Sequence, residues 1–177
     1  MDSGGSMVIV VMGVSGSGKS SVGRALADAL GWPFFDGDDF HPPENVAKMA
    51  AGTPLTDADR WPWLDALAAK VAAVLAQGGH AVLACSALRA AYRDRIAAGA
   101  RGEGDVRFVY LKGDRATIAA RLASRRHRYM PATLLDSQFA TLEEPADALA
   151  VDVRAAIPEQ VARIRAAFAP GTTRDPA

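Results

Sequence analysis

The eight residues GVSGSGKS, from Gly13 to Ser20, constrain the fold of this chain more than any other segment. They match the pattern G-x-x-x-x-G-K-[S/T], in which glycines let the backbone curl so that its N–H groups point at phosphate oxygens. An apolar run at 7–12 comes directly before this phosphate loop, and apolar residues at helical spacing follow it. This order of a buried strand, a glycine-rich loop and a helix predicts binding of nucleotide phosphates. The positive N-terminal end of the helix adds to the attraction for the phosphates.

The side chains of the phosphate loop have expected tasks. Lys19 is expected to reach the β- and γ-phosphates and so to take part in catalysis, while the Ser20 hydroxyl can ligate Mg²⁺. The nucleotide-binding set predicted from the loop and the start of its helix is Gly13, Ser15, Gly16, Ser17, Gly18, Lys19, Ser20 and Ser21.

The composition argues against several classes of function. The chain has 177 residues, of which 20 are basic and 20 acidic, so no overall charge favours nucleic acid or an anionic membrane. Cys85 is the one cysteine, which excludes an intrachain disulfide and favours a reducing compartment. No apolar run reaches the length of a membrane span, and the first residues lack the pattern of a signal peptide. We expect a cytoplasmic protein that binds neither nucleic acid nor membrane.

The distribution of apolar residues predicts one α/β domain over residues 7–169, between flexible ends at 1–6 and 170–177. Short apolar runs alternate with helical patterns, which is typical of a three-layer α/β/α fold: a five-stranded parallel sheet flanked by helices. The predicted strands are 7–12, 32–35, 80–85, 106–111 and 148–153. Ligands of such sheets bind at the carboxyl ends of the strands, so the residues that follow each strand are the candidates for chemistry.

Asp36 and Asp38 follow the second predicted strand. Phosphoryl transfer to an alcohol needs a carboxylate near the attacking hydroxyl and another group that holds Mg²⁺, often through water. Asp-Gly-Asp is also common in turns. Its position next to a phosphate loop favours the catalytic interpretation.

Eight segments in order resemble the gluconokinases of the phosphate-loop, shikimate-kinase-like type. They are MGVSGSGKS at 12–20, DGDDFHP at 36–42, NVAKM at 45–49, GTPLTDADR at 52–60, CSALR at 85–89, YRD at 92–94, YLKG at 110–113 and QFATLEEP at 138–145. The resemblance covers residues 8–168 and implies a P-loop kinase fold, with ATP and Mg²⁺ as cofactors. It also implies a homodimer that transfers a phosphoryl group to the 6-hydroxyl of D-gluconate, giving 6-phosphogluconate and ADP. Arg89 departs mildly from the pattern, since many relatives have Lys there.

The resemblance also implies roles for residues of a helical, substrate-binding segment at about 37–77. Asp38 would accept a hydrogen bond from the reacting hydroxyl, and Asp36 would orient a Mg²⁺-bound water. Arg60 would bind the gluconate carboxylate. The remaining substrate contacts implied are His41, Lys48 and, after the third strand, Ser86. Solvent-exposed or helix-capping roles are the alternatives for these last three residues.

Arginines cluster near a predicted break before Pro131, and the resemblance implies a lid at about 125–140. Arg125 would neutralise the transferring phosphate as a catalytic residue, and Arg121 would lie on the adenine side of the nucleotide. A solvated cluster that complements a helix C-terminus is the alternative.

Two other functions remain open at this point. One is a kinase of the same fold for shikimate or a nucleoside monophosphate, although shikimate kinases carry a glycine triplet where this chain has Cys85-Ser86-Ala87. The other is a nucleotide switch that hydrolyses ATP without an acceptor. Such proteins usually have an aspartate at the end of the third strand, where this chain has Leu83-Ala84-Cys85.

Overall fold

The computed structural model describes residues 5–124 and 132–168. Its strands are β1 (Met7–Met12), β2 (Phe34–Asp36), β3 (His80–Ala84), β4 (Val106–Lys112) and β5 (Leu149–Asp152). They form one sheet in the order β2-β3-β1-β4-β5, and every neighbouring pair is parallel. The predicted five-stranded parallel sheet is confirmed.

Helices connect the strands and cover both faces of the sheet. They are α1 (Lys19–Leu30), α2 (Pro43–Ala50), α3 (Asp57–Ala76), α4 (Ala90–Ile96), α5 (Arg115–Ala123), α6 (Ala132–Thr141) and α7 (Ile157–Phe168). Short 3₁₀ helices lie at Gly37–Phe40 and Ala97–Gly99. Within the described part of the chain, no helix is long and apolar enough to cross a membrane.

The central strand β1 supplies side chains to both apolar cores. Ile9 and Val11 belong to a cluster with residues of α1 and α7, while Val8 and Val10 belong to a second cluster with residues of α3 and α4. All four are at most 1% exposed. A strand that is covered on both faces needs apolar residues at successive positions, which explains the continuous apolar run before the phosphate loop.

Local signals set the helix boundaries next to the loop. Gly18, at the N-cap of α1, has φ +94°, a left-handed conformation that glycine adopts without a Cβ clash. At the start of α3, Thr56 and Asp59 form a capping box, in which each side chain accepts a hydrogen bond from the other's backbone N–H. These caps fix where α1 and α3 begin, and both beginnings lie beside the same cleft.

Candidate active site

A cleft of about 990 Å³ lies at the carboxyl ends of the strands. Its walls come from the phosphate loop, the 3₁₀ helix after β2, α2, α3, the segment after β3, and α6. The predicted site residues that line it are Ser15, Gly16, Gly18, Lys19, Ser20, Ser21, Asp36, Asp38, His41, Arg60 and Ser86. The fold therefore brings most of the predicted residues to one cavity.

Close packing determines the shape of the phosphate loop. A Cβ on Gly13 would lie 2.7 Å from the Ser17 Oγ, and one on Gly16 would lie 2.8 Å from the Leu122 Cγ. Gly16 also has φ +82°, which side chains rarely adopt. The loop needs glycine at these positions because α5 and its own chain approach so closely.

Gly13 and Ser17, unlike the other predicted residues of the loop, do not line the cleft and instead support the loop through backbone hydrogen bonds. The amide of Gly13 donates to the Ser86 carbonyl over 3.3 Å, and that of Ser17 donates to the Val14 carbonyl over 3.2 Å. The Ser17 side chain is buried, and its Oγ has no hydrogen-bond partner among the described residues. Lys19 does line the cleft, and its Nζ donates to the Val14 carbonyl over 3.1 Å.

Ser20 and Asp36 join the loop to the acidic turn. The Ser20 Oγ donates to the Asp36 Oδ2 over 2.9 Å, and the Asp36 Oδ1 accepts from the Asp38 amide over 3.0 Å. These are hard oxygen ligands of the kind that Mg²⁺ prefers. No cluster of three or more His, Cys, Asp or Glu that could hold a metal occurs in the described ranges. A pair of protein oxygens fits Mg²⁺, which usually keeps several waters and binds through substrate phosphates.

An aromatic stack supports the turn that carries Asp38. The Trp63 Nε1 donates to the Gly37 carbonyl over 2.8 Å, and the His41 ring stacks on Trp63 with centroids 4.1 Å apart. Asn45 contacts the His41 ring as well. Its Nδ2 lies 3.2 Å from the His41 Nδ1 and also donates to the Asp59 carbonyl over 2.8 Å. A nitrogen that donates to a carbonyl is the amide NH₂, so the His41 Nδ1 accepts and is unprotonated.

Electrostatics agree with a neutral His41. Burial lowers its pKa below the ordinary 6.5; the nearby Asp38 charge opposes this and the Arg60 charge adds to it. The ring is therefore expected to carry its proton on Nε2 at neutral pH.

Arg60, one turn before Trp63 on α3, belongs to a polar cluster. Its Nη1 donates to the Tyr92 hydroxyl over 3.1 Å and lies 3.5 Å from the Asp57 Oδ1. Tyr92 in turn donates to Asp57, and the Arg89 Nη1 lies 3.7 Å from the Asp57 Oδ2. The bond from Tyr92, followed by the charges of the two arginines, lowers the pKa of Asp57. Because two cations share one carboxylate, the cluster keeps net positive charge beside the cleft.

Lys48 is not brought to the cleft, although sequence reasoning assigned it to the substrate. Its Nζ lies 2.8 Å from the Asp59 Oδ2, and this hydrogen bond, with that from the Thr56 amide, lowers the pKa of Asp59 to about 2. The pair ties α2 to the start of α3. The role of Lys48 as a direct substrate contact stays a prediction.

The segment after β3 has a left-handed residue other than glycine. Ala87 has φ +47°, and its carbonyl accepts from the Arg93 Nη1 over 2.8 Å. Arg93 also donates to the Glu143 carbonyl over 3.0 Å. The buried Arg93 thereby stabilises a backbone conformation that alanine disfavours, directly after Ser86, which lines the cleft. Beside it, burial raises the pKa of the Cys85 thiol to about 12.

The predicted adenine-side arginine lies at the edge of the site. The Arg121 Nη2 donates to the Val153 carbonyl, and a Cβ on Gly18 would lie 4.0 Å from its Nη1. Arg121 thus bridges the segment after β5 and the phosphate loop. Arg125 and the first half of the predicted lid lie outside the described residues, and α6 forms the second half.

Gln138, on α6, contacts the phosphate loop directly. Its Oε1 accepts from the Ser15 amide over 2.7 Å, and its Nε2 donates to the Ser15 Oγ over 3.0 Å. Both residues line the cleft.

Comparisons with known proteins agree with this geometry. Residues 8–145 match a family described as "AAA domain", to which the chain belongs. The chain is 50% identical to a gluconokinase of Gluconobacter oxydans over 141 residues, which is 78% of this chain and 76% of the relative. It is 43% identical to the thermoresistant gluconokinase of Escherichia coli over 150 residues, which is 82% of this chain and 84% of the relative.

The chain belongs to the gluconokinase family. A crystal structure of a gluconokinase from Sinorhizobium meliloti superposes with a TM-score of 0.78 at 44% identity, over 96% of this chain and 98% of that one. The P-loop kinase fold is thereby shown, and membership of this kinase family implies the use of ATP.

Sequence reasoning missed several residues of this gluconokinase-family cleft. Trp63 holds the turn of Asp38, and Arg24 and Gln138 line the cleft, although the sequence assigned none of the three a role in the site. Gln138 opens the QFATLEEP segment that carried part of the resemblance, so a signal for it was present. Nothing in the sequence marked Tyr92 as the partner of Arg60.

Proposed function

We propose that this protein phosphorylates D-gluconate at its 6-hydroxyl with ATP, giving 6-phospho-D-gluconate and ADP. The observation that carries the proposal is one cleft that holds a phosphate loop, an acidic turn and a cationic wall. Similarity to known gluconokinases supports gluconate as the acceptor. A cavity of about 990 Å³ is at the upper end of the volumes that small-molecule sites occupy and suits two substrates.

The nucleotide end of the cleft neutralises and positions the phosphates. Loop amides and Lys19 would bind the β- and γ-phosphates, with Arg121 on the adenine side and Arg125 at the transferring group. Ser20 and Asp36, the latter through water, would hold Mg²⁺, which when bound offsets negative charge on the β- and γ-phosphates. The Ser20–Asp36 hydrogen bond supports this assignment because it places both oxygens together.

The acceptor end orients one hydroxyl of a polyol acid. Arg60 would bind the carboxylate, a pairing that charge-assisted hydrogen bonds favour. Asp38 would accept a hydrogen bond from the 6-hydroxyl, whose oxygen attacks the γ-phosphorus as the bond to the β–γ bridging oxygen breaks. The hydroxyl proton passes to Asp38, and ADP takes the leaving electron pair. Catalysis of this kind depends mostly on alignment and charge stabilisation.

The remaining contacts would determine acceptor selectivity. His41 with its unprotonated Nδ1 held by Asn45 presents Nε2–H as a donor for a substrate hydroxyl. Ser86, which also lines the cleft, offers a hydroxyl group to the substrate. The protein is proposed to act as a homodimer in the cytoplasm, and light scattering after size-exclusion chromatography tests the dimer.

A coupled assay of ADP formation tests the function. ADP should form rapidly with gluconate, and phosphorus NMR should show the product esterified at C6. Shikimate and nucleoside monophosphates should give rates at the level of the blank. Equal ADP formation with and without every acceptor would instead identify a nucleotide hydrolase and sink the proposal.

A further inference from the structure

Gln138 holds the phosphate loop at Ser15 from 123 positions away in the sequence. The orientation of its amide follows from chemistry. A backbone N–H can only donate, so the oxygen of the Gln138 amide must face the Ser15 amide, and its NH₂ must face the Ser15 Oγ. The Ser15 hydroxyl oxygen is therefore an acceptor in this contact.

An accepting hydroxyl keeps its own proton for another partner. The described residues offer no acceptor for the Ser15 hydroxyl proton, since its Oγ contacts only the donor Nε2 of Gln138 there. The side chain lines the cleft beside Gly16 and Lys19. Gln138 thus leaves the Ser15 O–H as a donor at the place where the phosphate tail of a nucleotide would lie.

The helix that carries Gln138 is anchored independently of the loop. Leu134 and Leu135 of α6 are 7% and 2% exposed. Just after the helix, the Glu143 amide donates to the Leu88 carbonyl over 2.7 Å. Packing and this bond hold α6 against the rest of the fold, so the position of the Gln138 amide is set before it contacts Ser15.

We propose that Gln138 is a positioning residue for phosphoryl transfer, which fixes Ser15 so that its hydroxyl donates to the terminal phosphoryl group of the bound nucleotide. The inference rests on the proposed function. A donor that is already oriented stabilises developing charge in the transition state without reorganisation, so the effect is expected in kcat.

Kinetics of four variants test the proposal: Gln138→Leu, Gln138→Glu, Ser15→Ala and the double variant Gln138→Leu with Ser15→Ala. Loss of one oriented hydrogen bond should lower kcat about tenfold in Gln138→Leu and in Ser15→Ala, with the gluconate KM unchanged. The double variant should fall by no more than a further factor of about two, because both changes remove the same donor. Effects that multiply to about a hundredfold would show independent roles and overturn the proposal.

Gln138→Glu separates positioning from packing. It keeps the shape of the side chain and the acceptor for the Ser15 amide, but its carboxylate would also accept from the Ser15 hydroxyl and turn that proton away from the cleft. It should therefore lower kcat at least as much as Gln138→Leu does. A kcat within about twofold of the wild type in either variant would leave Gln138 with a packing role only and sink the inference.

Thr141→Val is the control on the same helix. The Thr141 Oγ1 donates to the Ser137 carbonyl within α6, and Thr141 lies away from the cleft. This variant should keep the wild-type kcat, and thermal denaturation should confirm that all variants are folded. If Gln138→Leu does not fold, Gln138→Glu and Ser15→Ala still decide the question.

Affinity for a non-hydrolysable ATP analogue, measured by calorimetry, keeps this inference separate from the proposed function. A wild-type protein that gives no gluconate-dependent ADP would remove the function alone. A loss of affinity for the analogue in Gln138→Leu and in Ser15→Ala that does not grow further in the double variant would then support the contact. Unchanged affinity in both single variants, or losses that add in free energy, would overturn it.

Discussion

The indole N–H of Trp63 donates to the carbonyl of Gly37, one residue before Asp38. This bond joins α3 to the turn that presents Asp38, and His41 stacks on the same indole. The acceptor side of the cleft is therefore positioned by a helix that begins 21 residues after β2 ends, at a capping box.

Trp63→Phe tests this support. The change keeps an aromatic ring beneath His41 but leaves the Gly37 carbonyl without its donor, which should lower the free energy of unfolding by about 1–3 kcal/mol. It should also lower kcat, because Asp38 loses its fixed position. Urea denaturation and ADP assays measure both. Trp32→Phe, at an indole for which the described residues offer no acceptor, should change kcat little; an equal loss there would contradict the interpretation.

Asp38→Asn should reduce kcat at least about a hundredfold, the usual contribution of a positioned general base. ATP affinity should stay within about twofold, since the loop that binds the phosphates is intact. Asp39→Asn is a matched control at the next residue, which does not line the cleft. A near-normal rate for Asp38→Asn would remove this residue from the mechanism.

Arg60→Ala should raise the gluconate KM about tenfold or more while changing the ATP KM little, because it removes the cation assigned to the carboxylate. Arg95→Ala removes an arginine that pairs with Asp65 outside the cleft and should leave both KM values in place. Equal increases of both KM values in Arg60→Ala would argue against the assignment.

Stability should fall as the pH drops from about 7 through 6.5. Burial lowers the pKa of His41 below 6.5 in the folded protein, so the unfolded chain binds the proton first as the pH falls through 6.5. Protonation then favours unfolding until the folded-state pKa is passed. Urea denaturation across this range should show a weaker pH dependence for His41→Phe than for the wild type. Identical slopes would contradict a role for His41.

Cys85 should resist alkylation at pH 8. Burial raises the pKa of its thiol to about 12, and the side chain is 1% exposed, so little thiolate is present or accessible. Mass spectrometry after treatment with iodoacetamide should show no adduct on the folded protein and one adduct in urea. Rapid modification without unfolding would show that the β3 end opens readily.

The sequence could predict features whose signals are local. The phosphate loop, the acidic turn after β2 and the alternation of strands and helices each depend on short segments. The structure confirms the alternation, and it places the loop directly after β1 and the turn directly after β2. The fold also brings Arg60 and Ser86 to the cleft, as the resemblance implied.

Long-range partners could not be read from the chain. Gln138 meets Ser15 across 123 positions, and Arg60 meets Tyr92 across 32, so only tertiary packing reveals these contacts. Lys48 illustrates the opposite case, since a basic residue in a matching motif forms an ion pair with Asp59 instead of lining the cleft. The left-handed Ala87 gave no local signal because alanine rarely adopts that conformation.

The alternation of β1 between two cores has a consequence for how such kinases can diversify. Inserting or deleting one residue in β1 would exchange its inward side chains between the α1/α7 and α3/α4 layers, and Gly13 would emerge facing the wrong way. The packing of β1 on both faces thus fixes the phosphate loop at the middle of the sheet. None of residues 42–60 belongs to either core cluster, so the stretch from α2 to the first turn of α3 can be remodelled for new acceptors without disturbing this packing.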